Sequence, residues 1–128
     1  MDDGQRVVEA IRKCFEGVRD PRVVGRCDHL LIDILTIAIL AVICGADDWT
    51  DIEVFGRVRE PWLRQFLELP GGIPSHDTFR RVFELLDRNQ FAAGLRAVVV
   101  RLAAAGLVVL AVVVLLVGIS APSRLQQG

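Results

Sequence analysis

Residues 61–86 read Pro61-Trp-Leu-Arg-Gln-Phe-Leu-Glu-Leu-Pro-Gly-Gly-Ile-Pro-Ser-His-Asp-Thr-Phe-Arg-Arg-Val-Phe-Glu-Leu-Leu86, and the spacing of their apolar side chains decides the fold class. Trp62, Leu63, Phe66 and Leu67 stripe one side of a short helix begun by Pro61, a residue at home in the first helical position. Pro70, Gly71, Gly72 and Pro74 end that helix and force a turn. Ser75 then offers an N-cap hydroxyl, Asp77 puts negative charge in the first turn, and Phe79, Val82, Phe83 and Leu86 recur at i, i+3, i+4 and i+7. Helix, turn and second helix make the outline of a helix-turn-helix, with a loose turn: five residues separate Leu69 from Ser75.

Working outward, the same period continues on the N-terminal side. Trp49, Ile52 and Phe55 step through a helix that Asp47 or Asp48 can cap. Residues 30–46 hold 14 hydrophobic side chains in 17, broken by Asp33 and Thr36 and without two-residue alternation, which predicts a buried helix. Val7, Val8, Ile11, Cys14, Phe15 and Val18 form the apolar face of a first helix ending near Gly17, stopped by Asp20-Pro21. A further helix is expected around Phe91 to Arg101. No strand pattern occurs in the first 101 residues, so the expected fold is all-α: a small helical domain with a helix-turn-helix-like unit, followed by a C-terminal apolar helix.

Composition bounds the function. The chain has 128 residues, 52% of them hydrophobic, with 15 basic against 16 acidic side chains, a net charge of −1 and a mean hydropathy of +0.44. That balance excludes a chain that is as a whole a disordered tail or a basic nucleic-acid wrapper, and the length suits one ordinary domain. Cys14, Cys27 and Cys44 are odd in number and scattered, which suits free thiols in a reducing compartment. With no apolar stretch in the first 25 residues, the expected location is cytoplasmic. Residues 102–119 carry no charge, and as one helix would reach about 27 Å, close to the thickness of a bilayer's hydrocarbon core. The chain thus divides into a helical domain at 1–101, an apolar segment at 102–119 and a disordered tail at 120–128. The alternative function is a single-pass inner-membrane protein, its helical head left in the cytoplasm by the basic residues before the segment.

The candidate DNA-contacting residues are Ser75, His76, Asp77, Arg80 and Arg81, because the N-terminal residues of a second helix in such units meet base edges and phosphates. A solvated helix face is the competing reading, since residues 56–88 hold six Arg against five acids and the sequence pI is about 6.1. Cys27, His29, Cys44 and His76 match no standard zinc spacing, and no cofactor, metal or small-molecule ligand is implied. The acidic cluster of Asp47, Asp48, Asp51 and Glu53 is explained by helix capping. Cys44, Trp49 and Trp62 read as core residues, and a buried Asp33 would need a partner, with Arg22 or Arg26 the nearest in sequence.

The segments Asp20-Pro-Arg-Val-Val-Gly-Arg-Cys-Asp-His29, Cys44-Gly-Ala-Asp-Asp-Trp49 and Leu69-Pro-Gly-Gly-Ile-Pro-Ser-His-Asp-Thr-Phe79 resemble the N-terminal domain of the H-repeat-associated transposases, bacterial insertion-sequence proteins of the DDE type. The resemblance covers residues 13–100. It implies a domain that helps recognise the element's ends, ahead of a catalytic domain whose three carboxylates hold divalent metal. Here the last acidic residue is Asp87, and where the family continues into a strand bearing Asp-Gly-Lys this sequence has Leu102-Ala-Ala-Ala-Gly-Leu-Val-Val-Leu110. Metal-assisted strand transfer needs hard carboxylate ligands, so the expectation is a truncated transposase without catalytic activity, its apolar end arising by out-of-frame translation of a G+C-rich gene. Expected partners are element-end DNA, an intact transposase and, through residues 102–119, a membrane.

Overall fold

The computed structural model describes residues 3–22 and 28–106. Among them all regular structure is helical: α1 (Asp3–Phe15), α2 (Leu31–Ile43), α3 (Trp49–Val58), α4 (Glu60–Leu63), α5 (His76–Leu85) and α6 (Arg88–Ala104). The all-helical class read from the sequence is what the described residues adopt.

The central element is α2. Its residues 33–41 are buried without a break, and Ile34, Leu35 and Ile37 are wholly enclosed. Enclosing each such side chain stabilises the fold by about 1.5–3 kcal/mol, which explains why a helix apolar all round belongs in the middle. Both α1 and α3 pack against α2; α1 also pairs with α6, and α3 with α5. The α1–α6 approach is close because of Gly94: a Cβ there would lie 2.6 Å from the Phe15 ring. A row of aromatic rings links the outer helices, Phe15 to Phe91 at 5.6 Å, Phe91 to Phe83 at 5.3 Å and Phe83 to Trp49 at 5.5 Å between centroids. Rings at such separations in tilted and edge arrangements attract beyond their area burial.

Side chains start three helices, Asp48 and Ser75 at caps the sequence predicts and Asp87 at one it did not signal. Asp48 accepts from the Asp51 amide, Ser75 Oγ from Thr78, and Asp87 from Asn89 and Gln90. Each satisfies an amide that the first turn leaves without a partner.

Four expectations are corrected. The helix read from Pro61 through Leu67 is a single turn, Glu60–Leu63, that tightens into i to i+3 bonds, the Gln65 amide to the Trp62 carbonyl and the Phe66 amide to that of Leu63, ahead of Pro70, which has no N–H to give the Phe66 carbonyl; that carbonyl accepts instead from Arg12 Nη2 at 3.0 Å, and the Leu69 amide donates to Asp33 Oδ2 at 3.0 Å. Asp33 therefore finds its partner in that amide, not in Arg22, which binds Asp20 and the His29 carbonyl; Arg26 lies outside the described residues. Cys44 is the exposed C-cap of α2 instead of a core residue. Trp62 is 36% exposed, its ring 4.9 Å from that of Phe66 and steeply inclined to it, because the single turn of α4 buries Leu63 instead.

The apolar run beginning at residue 102 is not one helix from its first residue. Its first three residues complete α6, and Gly106, at φ 77°, takes the chain out of helical geometry. Among the described residues no helix is long and apolar enough to cross a membrane. The remainder, including the expected tail at 120–128, lies outside the described residues.

Candidate nucleic-acid interface

The second helix of the expected pair, α5, packs on α3, with residues 59–75 as the connection. Phe79 and Val82 face inward, and the apolar period that predicted the helix is the one that seats it. That leaves Asp77, Arg80, Arg81 and Glu84 on the outer side.

The start of α5 is held twice. Ser75 is half-buried and committed to its cap, with Oγ accepting from the Thr78 amide at 3.3 Å. From α3, Glu53 reaches across: its Oε1 accepts from the His76 amide at 2.6 Å and lies 3.0 Å from His76 Nδ1, while its Oε2 accepts from Arg57 Nε at 2.9 Å. An ionised carboxylate only accepts, so Nδ1 is the protonated ring nitrogen in this pair. These bonds hold Glu53 at a pKa of about 2, the His76 amide contributing most, then Arg57, then the imidazole. A negative carboxylate at a helix N-terminus also meets the positive end of the helix dipole.

The five candidate residues thus separate by role. Ser75 is structural, His76 is exposed but tied to Glu53, and Asp77 and Arg80 pair with each other at 3.4 Å. Arg80 also meets Glu84 at 3.1 Å, so its charge is neutralised within its own helix. Arg81 is exposed and has no carboxylate within ion-pair distance among the described residues, as have Arg59 at the end of α3 and Arg88 at the start of α6. Sequence reasoning missed Glu53 as part of this face. Its i,i+4 spacing to Arg57 was visible, but nothing along the chain signals a partner 23 residues away.

Of the other constellations, Asp48 caps α3 and Asp51 Oδ2 accepts from the Asp47 amide, so both are accounted for by capping. No three His, Cys, Asp or Glu side chains among the described residues converge to hold a metal ion. Cys27 lies outside the described residues.

Comparison with known proteins shows the family of the chain. The chain is 55% identical over 80 residues to an uncharacterized protein in the dhlA 3' region of Xanthobacter autotrophicus, covering 62% of this chain and 27% of that one. It is 45% identical over 74 residues to the H repeat-associated putative transposase YbfD of Escherichia coli, covering 58% of this chain and 29% of the relative. With the inactive transposase YbfQ of the same species it shares 46% identity over 63 residues, which is 49% of this chain and 75% of YbfQ. The chain thus spans less than a third of the first two relatives. No solved structure matches it. The family model described as DDE_Tnp_1-associated matches residues 12–99, from within α1 to within α6, and the chain belongs to that family.

Proposed function

We propose that the domain is the non-catalytic, DNA-contacting part of an insertion-element transposase, helping to recognise the element's ends with the outer face of α5. The observation that carries this reading is Arg81, an exposed arginine without a carboxylate partner among the described residues, on a helix whose first turn is pinned by Glu53 and Ser75. A guanidinium so placed suits a phosphate oxygen or the O6 and N7 of guanine. Family membership supplies the context, and the sequence pI of about 6.1 implies contact through a few local cations without long-range steering.

The non-catalytic half of the proposal is supported by the acids. Several acids of the domain are engaged as caps or ion pairs, Asp48, Asp87, Glu53 and Asp77, and no three His, Cys, Asp or Glu side chains among the described residues converge on one place. A pair of divalent ions set against a phosphodiester would need several free carboxylates at one place.

Fluorescence anisotropy of the whole chain against element-end and random duplexes at two salt concentrations tests the DNA reading. Tighter binding to element ends is expected, with Arg81→Ala lowering the slope of log affinity against log salt by about one. Equal, salt-insensitive and negligible binding to both duplexes overturns it.

A further inference from the structure

The outer side of α3 and α4 carries two stripes of side chains that belong together. Val54 is 51% and Val58 68% exposed, and Pro61 and Trp62 follow them in the open. The stripe crosses from α3 into α4 because the helix scarcely ends between them. The Arg59 amide bonds to the Phe55 carbonyl and the Leu63 amide to the Arg59 carbonyl, each at 2.9 Å, and the break at Arg59 falls where Pro61 has no N–H for the Arg57 carbonyl. At that spacing the four apolar positions share a side, a patch of the kind that marks a contact surface. Beside it runs a charged stripe, Glu53, Arg57, Glu60 and Arg64, at i, i+4, i+7 and i+11. Within the chain Glu53 pairs with Arg57 at 2.9 Å and Glu60 with Arg64 at 2.8 Å, and none of the four side chains is enclosed.

The charged stripe has a symmetry of its own. About a point between Val58 and Arg59 its spacing reads the same in both directions, and each acid on one side stands at the distance of an arginine on the other. Two helices running in opposite directions about a two-fold axis meet with like flanks together and their order reversed. Centred beside Val58, such a pair sets Val58 against Val58 and Val54 of one copy against Trp62 of the other. The same placement brings Arg57 to Glu60 of the second copy and Arg64 to its Glu53. A parallel pair would bring this flank against the opposite one and use none of that order. We propose that the outer face of α3 and α4 binds a second copy of this chain, antiparallel about a two-fold axis beside Val58. The match of the charged stripe with its own reverse, next to exposed apolar side chains, carries this assignment. Because Glu53 also accepts from the His76 amide, the two copies of α5 start on the same side of the pair. The pairing does not depend on any DNA contact.

Sedimentation equilibrium of the whole chain, without DNA, tests it. The parent should be a dimer. Arg57→Glu and Glu60→Arg, each alone, set like charges against one another at two symmetric places and should weaken the dimer by about tenfold. An equal mixture of the two variants should associate as tightly as the parent, since each unlike pair of copies restores both attractions. A monomeric parent, a dimer that neither variant weakens, or a mixture no tighter than the separate variants overturns the proposal. A second measurement reads the direction of pairing. In a background of Cys14→Ala, Cys27→Ala and Cys44→Ala, Val54→Cys mixed with Trp62→Cys should form a disulfide between copies on mild oxidation, and neither variant should do so by itself. Cross-linking of each variant with itself and not with the other means a parallel pair, and is equally fatal.

Discussion

Two carboxylates hold the long connection between α3 and α5, and they do so in opposite electrostatic regimes. Asp33, on the buried core helix, accepts the Leu69 amide at 3.0 Å; Glu53, on the outer part of α3, accepts the His76 amide at 2.6 Å. Both are anchors to backbone N–H groups far along the chain. Burial raises the Asp33 pKa, chiefly by desolvation that the Leu69 amide only partly offsets, whereas hydrogen bonds from His76 and Arg57 bring Glu53 down to about 2. The difference teaches that the same bond serves as an enclosed clasp at one end of the linker and as a charged latch at the other.

The largest break in this comparison comes from removing the buried clasp. Asp33→Ala leaves the Leu69 amide enclosed without an acceptor and opens space beside Thr36, and a loss of about 1–3 kcal/mol is expected in urea denaturation. Asp33→Asn keeps an acceptor oxygen without a charge, and its stability at neutral pH should equal or exceed that of the parent. If Asn proved as damaging as Ala, the clasp would depend on charge and the contrast with Glu53 would collapse.

The two carboxylates also respond to pH with opposite signs. Asp33 binds its proton more tightly folded than unfolded, so its contribution is whole below its ordinary value of 3.8 and is lost as pH rises through its raised folded value. Glu53 binds its proton less tightly when folded; its contribution is whole above its ordinary value of 4.5 and is lost as pH falls toward 2. Glu53→Gln should therefore flatten the decline in stability between pH 4.5 and 2. Asp33→Asn should steepen net acid destabilisation relative to neutral pH, because the opposing gain is gone. Denaturant midpoints of the two variants and the parent across pH 2–7 read both effects, and changes of slope relative to the parent with the same sign would refute the assignment.

Smaller still is the cap itself. Ser75→Ala removes the oxygen that accepts from Thr78 and is expected to cost about 1 kcal/mol, with hydrogen exchange quickening first in the opening turn of α5. These anchors show where the sequence was readable. Residues 30–46, the Ser75 cap and the apolar period from Phe79 to Leu86 are local signals, set by 3.6-residue spacing and by an oxygen within three residues of its donor. Asp33 to Leu69 and Glu53 to His76 span 36 and 23 residues, and a carboxylate's choice among distant amides leaves no mark in spacing. The end of α4 was less legible. Pro61, Trp62, Leu63, Phe66 and Leu67 do carry a helical stripe, but the bonds tighten to i to i+3 at Gln65 and Phe66 ahead of Pro70, and the Phe66 carbonyl that Pro70 leaves without a donor is met by Arg12, 54 residues away.

The smallest expected effect isolates which bond makes the latch. Arg57 and Glu53 form an i,i+4 pair at 2.9 Å, but the arginine side chain is 59% exposed, so Arg57→Ala should cost only a few tenths of a kcal/mol and that little should shrink with salt. Its value lies in the carboxyl titration. The His76 amide is the first cause of the low Glu53 pKa and Arg57 the second, so in Arg57→Ala the carboxyl 13C resonance of Glu53 should still titrate below its ordinary 4.5. A return all the way to 4.5 would mean that Arg57, not the start of α5, holds the carboxylate. The helix carrying Arg81 would then be fixed by Ser75 and its apolar face alone, and the rigidity invoked for a DNA-facing helix would lose its second support.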